Sequence, residues 1–142
     1  MAINVRWLIC GGTACVALTA ALSAFSQQDD TVKAERAGRP KLTLKADPTV
    51  GFSPSRITLT AELVGGANDH PDFYCPVIEW DWGDGTRSEF ASDCKPYERG
   101  KSEITRRFSV VHIFREGGFS IKFRLKRQNQ VIAAANAKVA IN

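Results

Sequence analysis

Four kinds of side chain in this 142-residue sequence offer chemistry beyond packing: cysteines, carboxylates, two histidines and a run of cations. Cys75 and Cys94 lie 19 positions apart, and neither has the close second cysteine of a zinc knuckle. A disulfide between them would stabilise the fold by about 3 kcal/mol in the chain-entropy model, and a pair of unlinked thiols is the alternative. Asp69, Asp72, Asp81 and Asp84 are conceivable metal ligands. Calcium needs about six to eight oxygens, however, and the D-x-[DN]-x-[DN]-G loop spacing is absent. Asp81 and Asp84 read more simply as turn-forming carboxylates, so neither metal nor cofactor is expected. His70 and His112 could move protons, but no G-x-S-x-G elbow and no H-E-x-x-H pair accompanies them. The opposed carboxylates of a glycosidase would need a groove for which one small domain has little room. An enzyme is not expected.

The cations are concentrated. Between Arg99 and Arg127, nine Lys and Arg stand against two Glu, a net +7. Lys122, Arg124 and Lys126 alternate with apolar residues and should project together from one wet face. Such a candidate stripe would attract an anionic polymer or an acidic protein surface. The plain alternative is a solvated face whose charges resist edge pairing. Nucleic acid is not expected as a partner: no helix suits a major groove, and the stripe has no stacking aromatics. The overall charge of +4 is only mildly basic.

Strands must carry these residues. Leu42 and Leu44, then Ile57, Leu59, Ala61 and Leu63, then Ile78, Trp80 and Trp82, then Phe119, Ile121, Phe123 and Leu125 all alternate with polar neighbours. Val139 and Ile141 close a last apolar stretch. A period of two means one buried and one wet face, as in antiparallel sheets. Turn signals separate the runs at Asp47-Pro48, Gly65-Gly66-Ala67-Asn68, Gly83-Asp84-Gly85, Gly117-Gly118 and Gln128-Asn129-Gln130. About seven strands are predicted, near 41–47, 56–63, 76–82, 86–90, 104–111, 117–127 and 130–141. The fold class is all-β, a two-sheet antiparallel sandwich. The composition, 44% apolar and 24% charged, is that of a globular domain and excludes a disordered or collagen-like chain.

The N-terminus reads differently. Arg6 is the one charge in residues 1–26, and the apolar run ends in Ala24-Phe25-Ser26 before Gln27-Gln28-Asp29-Asp30. These are the parts of a secretory signal peptide, with cleavage expected after Ser26. An uncleaved anchor helix is the alternative, although Gly11, Gly12, Thr13 and Thr19 dilute the run. Residues 27–40 read as a flexible linker and 41–142 as the domain. In an exported chain, the two remaining cysteines suggest one disulfide. Phe73, Tyr74 and Tyr97 lie near them, as a contact patch or, on the favoured reading, as a shield for the bond.

The sharpest local pattern is Trp80-Asp81-Trp82-Gly83-Asp84-Gly85-Thr86. Physically it is a strand whose two tryptophans face one way and which ends in a tight Asp-Gly turn. It resembles the W-D-F-G-D-G-T signature of the polycystic kidney disease (PKD) domain family. Family members continue with His-x-Tyr and then Gly-x-Tyr-x-Val-x-Leu. Here His112-Ile113-Phe114 is followed by Gly117-Gly118-Phe119-Ser120-Ile121-Lys122-Phe123. The resemblance covers roughly residues 41–142. It implies an immunoglobulin-like sandwich outside the cell, similar in role to spacers and to protein or carbohydrate contact modules, and not catalytic. Phe114 departs from the family's Tyr, so no hydroxyl is available there. The segment from Phe90 to Arg107 is longer than usual, and the expected Cys75–Cys94 bond would pin it beside the signature strand. The resulting expectation is a secreted, periplasmic or cell-surface binding module with a protein or polysaccharide partner. A spacer tethered by an uncleaved helix is the competing class, and the membrane would be touched only through that segment.

Overall fold

A computed structural model describes residues 38–142. The signal peptide read over 1–26 and the linker over 27–37 lie outside the described residues. The domain is an all-β, immunoglobulin-like sandwich of two sheets. Its strands are β1 (Lys41–Asp47), β2 (Val50–Gly51), β3 (Ser55–Val64), β4 (Val77–Asp81), β5 (Arg87–Phe90), β6 (Arg107–Phe114), β7 (Gly117–Arg127) and β8 (Gln130–Ile141). One sheet has the order β1-β3-β6 and the other β2-β8-β7-β4-β5. Every pairing is antiparallel except that of β2 with β8.

Alternation places the core. Ile57, Leu59, Ala61 and Leu63 on β3 face Ile121, Phe123 and Leu125 on β7, and all are buried. Trp80, Trp82 and Phe114 fill one end, while Phe73 and Ile104 plug the other. Phe73 reaches the interior from a single 3-10 turn at Pro71–Phe73.

Two strands differ from the sequence reading. β2 is additional: two residues are too short to show any periodicity, and the segment is held because Ala140 donates to the Thr49 carbonyl and Asn142 to that of Gly51. β6 covers 107–114 rather than 104–111. Ile104 turns its amide to the Asn68 carbonyl before the ladder with β3 begins, and the inward His112 and Phe114 keep the chain extended beyond 111. The Ala-rich run 133–137 is strand throughout, with a register shift opposite Leu125 and Lys126. Such a shift frees a backbone group. Here the Ile132 carbonyl accepts from the Arg39 guanidinium at 3.2 Å. Arg39 also lies 5.3 Å over the Phe73 ring and 3.6 Å from the Asp72 carboxylate. Gly38–Pro40, the end of the segment read as linker, are thereby docked on the sandwich.

Phe123 touches rings from both sheets, Trp80 at 4.4 Å and Phe108 at 5.5 Å. Phe123→Ala is expected to lower the unfolding free energy by about 3–5 kcal/mol in urea titrations. A loss below about 1 kcal/mol would mean that the sheets do not pack through this ring.

Candidate functional site

The signature residues come together at one end of the sandwich. Trp80 and Trp82 stack in parallel, with centroids 5.5 Å apart. His112, on β6 of the opposite sheet, lies flat on Trp82 at 4.0 Å. Phe114 meets His112 edge-on, and Phe119 continues the contact at 4.9 Å from Phe114. The result is an aromatic spine that crosses from the five-stranded sheet to the three-stranded one and back. Offset or edge contacts of this kind add about 0.5–1.5 kcal/mol beyond their buried area. Phe114 is buried within the spine, a place where a tyrosine hydroxyl would need a partner.

The turn beside the spine is built from carboxylates. Asp81 accepts from the Gly83 amide at 3.3 Å. Asp84 Oδ1 accepts from the Thr86 amide at 2.8 Å and from the Thr86 hydroxyl at 2.5 Å. Its other oxygen lies 3.6 Å from His112 Nε2. The Trp82 indole donates to the Ser88 hydroxyl at 3.0 Å, and its backbone amide to the Thr86 carbonyl at 3.2 Å. The Thr86 hydroxyl bond is the main cause that holds the Asp84 carboxyl below its ordinary 3.8, with burial opposing and His112 assisting. Gly83 and Gly85 both have positive φ. A Cβ at Gly83 would lie 2.7 Å from the Ser120 carbonyl oxygen, whereas one at Gly85 would meet open space.

The basic stripe shares one face of β7, as its period requires, but two of its three cations are committed. Arg124 pairs with Glu79 and lies 3.5 Å from Asp81. Lys126 bridges Glu79 at 2.9 Å and Glu89 at 2.7 Å. Arg87 adds a contact to Asp81 at 3.5 Å. Three cations and three carboxylates on β4, β5 and β7 therefore form one neutral network. Lys122 has no acidic partner among the described residues; it borders a groove of about 180 Å³ shared with Arg124, Ala134, Ala135 and Asn136. Lys126's bond holds the Glu79 carboxyl below its ordinary 4.5, with Arg124 assisting. The Glu89 and Glu79 bonds raise the Lys126 ammonium above 10.5. Period-two patterning found the stripe; the signal for its neutralisation was Glu79 and Asp81, which alternate in the same way around Trp80.

Elsewhere in the basic segment, Arg106 bonds three carbonyls, those of Leu63, Gly65 and Gly66, and the Asn68 side chain. Arg107 pairs with Glu62 on the neighbouring strand. Arg127 donates to the Pro71 carbonyl.

Cys75 and Cys94 form a disulfide, with Cα atoms 6.2 Å apart. It ties the irregular segment 91–106, mostly exposed but anchored in the core by Ile104, to the residue run that enters β4. Tyr74 and Tyr97 lie 5.6 Å apart beside it and donate their hydroxyls to the Lys95 and Asp69 carbonyls. Phe73 does not belong to any surface patch, since it is buried in the core. Among the described residues, no group of three His, Cys, Asp or Glu is placed to hold a metal ion. His70 caps the 3-10 turn by accepting from the Asp72 amide at 3.3 Å. No protein-family model matches the chain, and no curated protein matches it significantly.

Gly83→Ala should cost about 3 kcal/mol or more, because backbone and strain oppose it together, and Gly85→Ala about 1 kcal/mol from strain alone. Equal losses on thermal unfolding would refute the close approach of Gly83 to β7. The ionic groups set the pH response. Glu79 and Asp84, depressed in the fold, contribute stability that is complete above their ordinary values and is lost as pH falls through their lowered ones. Lys126, raised in the fold, contributes below its ordinary value and is lost as pH rises through the raised one. Denaturation midpoints should therefore be flat near neutrality and fall at both extremes, and Glu79→Gln together with Asp84→Asn should shallow the acid limb. An unchanged acid limb in that double variant would show that other carboxylates control it.

Proposed function

We propose that this chain is an exported, non-catalytic, PKD-like module that makes protein or carbohydrate contacts at the cell envelope or outside the cell. The observation that carries the reading is the Cys75–Cys94 disulfide, which anchors a long exposed loop at one end of a sandwich. Cystines persist in oxidising compartments, and loops held by a rigid sandwich are where such folds place contacts. The signature's geometry supports the family reading, since its tryptophans, turn glycines and His112 act together in one cluster. Its carboxylates are engaged with backbone amides, Thr86, His112 and cations, which supports a structural rather than a catalytic role for them.

The test is the intact mass of the protein recovered from its native host, before and after reduction and thiol alkylation. A mass beginning at Gln27, with two cysteines alkylated only after reduction, is the expected result. A mass that retains residues 1–26, with four freely alkylating cysteines, would overturn export and favour a tethered protein in a reducing compartment. The mature chain should then be retained by immobilised envelope polysaccharides or secreted proteins, and more weakly after Lys122→Ser, which removes the stripe cation that has no acidic partner among the described residues. Retention by none of them would favour a spacer.

A further inference from the structure

The two sheets are unequal, three strands against five. The surplus strand at one side is β5. Ser88 and Phe90 stand opposite Trp80 and Ile78 in register, so both face the side toward the smaller sheet. Ser88 receives the Trp82 indole at 3.0 Å, and Phe90 is 62% exposed, so among the described residues no strand covers β5 on that side. The strand that ends the smaller sheet on this side is β6, whose His112 stacks on Trp82 and whose Phe108 meets Phe123. A strand-wide step therefore lies beside β6 and over the inner face of β5.

The free edge of β6 is regular. The Leu63 amide donates to the Arg106 carbonyl, which sets the phase of the β3–β6 ladder. By antiparallel alternation, Phe108, Val110 and His112 point their backbone groups at β3, and Arg107, Ser109, Val111 and Ile113 point theirs outward. Residues 107–114 contain no proline, glycine or register shift. Val111 is 48% and Ile113 59% exposed. Native sheets usually block an edge of this kind with a bulge, a proline or inward charge; here it is open among the described residues.

A second copy does not fit. Pairing β6 with β6 would drive each copy's overhanging β5 into the space under the other's β6. A lone strand fits, because it would extend the smaller sheet and lie over Phe90 and Ser88. The charges around the edge indicate its chemistry. Arg56, opposite Ile113, and Arg115, just past Phe114, have no ion-pair partner among the described residues, whereas Arg107 is answered by Glu62. We propose that the free edge of β6 is a strand-addition site for an extended segment of a partner protein, apolar at alternate positions and carrying carboxylates where it passes Arg56 and Arg115. Backbone bonds would supply affinity and the alternate side chains selectivity. The proposal deepens the contact-module reading and rests on it.

The test uses the mature, oxidised chain, labelled for amide hydrogen exchange by NMR, and two synthetic probes, acetyl-EVTVTVE-amide and its Lys-ended counterpart. The acidic probe should slow exchange at Ser109, Val111 and Ile113 by about tenfold or more, and the basic one should not. Val111→Pro removes an outward donor and leaves the β3 ladder intact, so it should abolish protection while the thermal midpoint stays close to that of the parent. Should that variant fail to fold, Arg56→Glu, on the exposed face of β3, should weaken the acidic probe and favour the basic one. The proposal is overturned by unprotected β6 amides at saturating probe, by equal protection in Val111→Pro, or by β6 amides already protected without probe, which would mean that the chain itself or a second copy holds the edge. Probe-induced changes confined to the loop 91–106 or to the β7 face would also overturn it, yet leave the contact-module reading standing.

Discussion

Where Trp82 lies flat on His112, the two sheets are joined by rings whose positions are fixed on both sides. The indole nitrogen is held by Ser88 and its backbone amide by Thr86. The imidazole is sandwiched between Trp82 and Phe114 and faces Asp84. Asp84 in turn is fixed by the amide and hydroxyl of Thr86, two residues on. The turn therefore does more than reverse the chain: it delivers a carboxylate to the opposite sheet. The relative setting of the sheets, and with it the depth at which β5 overhangs, follows from this contact.

Charge has a local task on the five-stranded sheet. Glu79, Asp81, Arg87, Glu89, Arg124 and Lys126 form a cross-strand lattice on its outer face. Exposed ion pairs are individually weak, but a half-buried lattice with several shared partners is less easily screened. It also fixes the register of β4 against β7 and β5, because a slip of β4 by one residue would turn Glu79 and Asp81 to the core and leave the cations on the outer face unpaired. The local excess of basic residues is thus largely absorbed by acidic residues far away in sequence and by loop carbonyls.

The sandwich class was legible in the sequence because burial on one face writes a period of two, and Trp80, Trp82, Phe119, Ile121 and Phe123 carry it without interruption. The turn was legible from Asp84 and Gly85, whose backbone preferences are local. The cysteine pair was legible as a pairing with an open alternative. What escaped was set by strand order. The partners of Arg124 and Lys126 lie on β4 and β5, and nothing in the sequence around β7 says that these strands adjoin. β2 was too short to leave a pattern. The open edge of β6 cannot be read from residues 107–114 at all, since an edge is a property of what is missing beside a strand. Arg106 is, in sequence, only one of the nine cations between Arg99 and Arg127, because most of its acceptors are backbone carbonyls, which every residue has.

The pairing of β2 with β8 bears on how this domain would respond to mechanical load. Its last described residues are laced to the segment 49–53 by bonds from Ser53 to Asn142, from Asn142 to Gly51 and from Ala140 to Thr49. Lys41 enters at the end of the sandwich near Val64, and Asn142 leaves at the other, near Gly117. A pull on the two ends would run along the strands, so that these bonds would be sheared together rather than opened one after another.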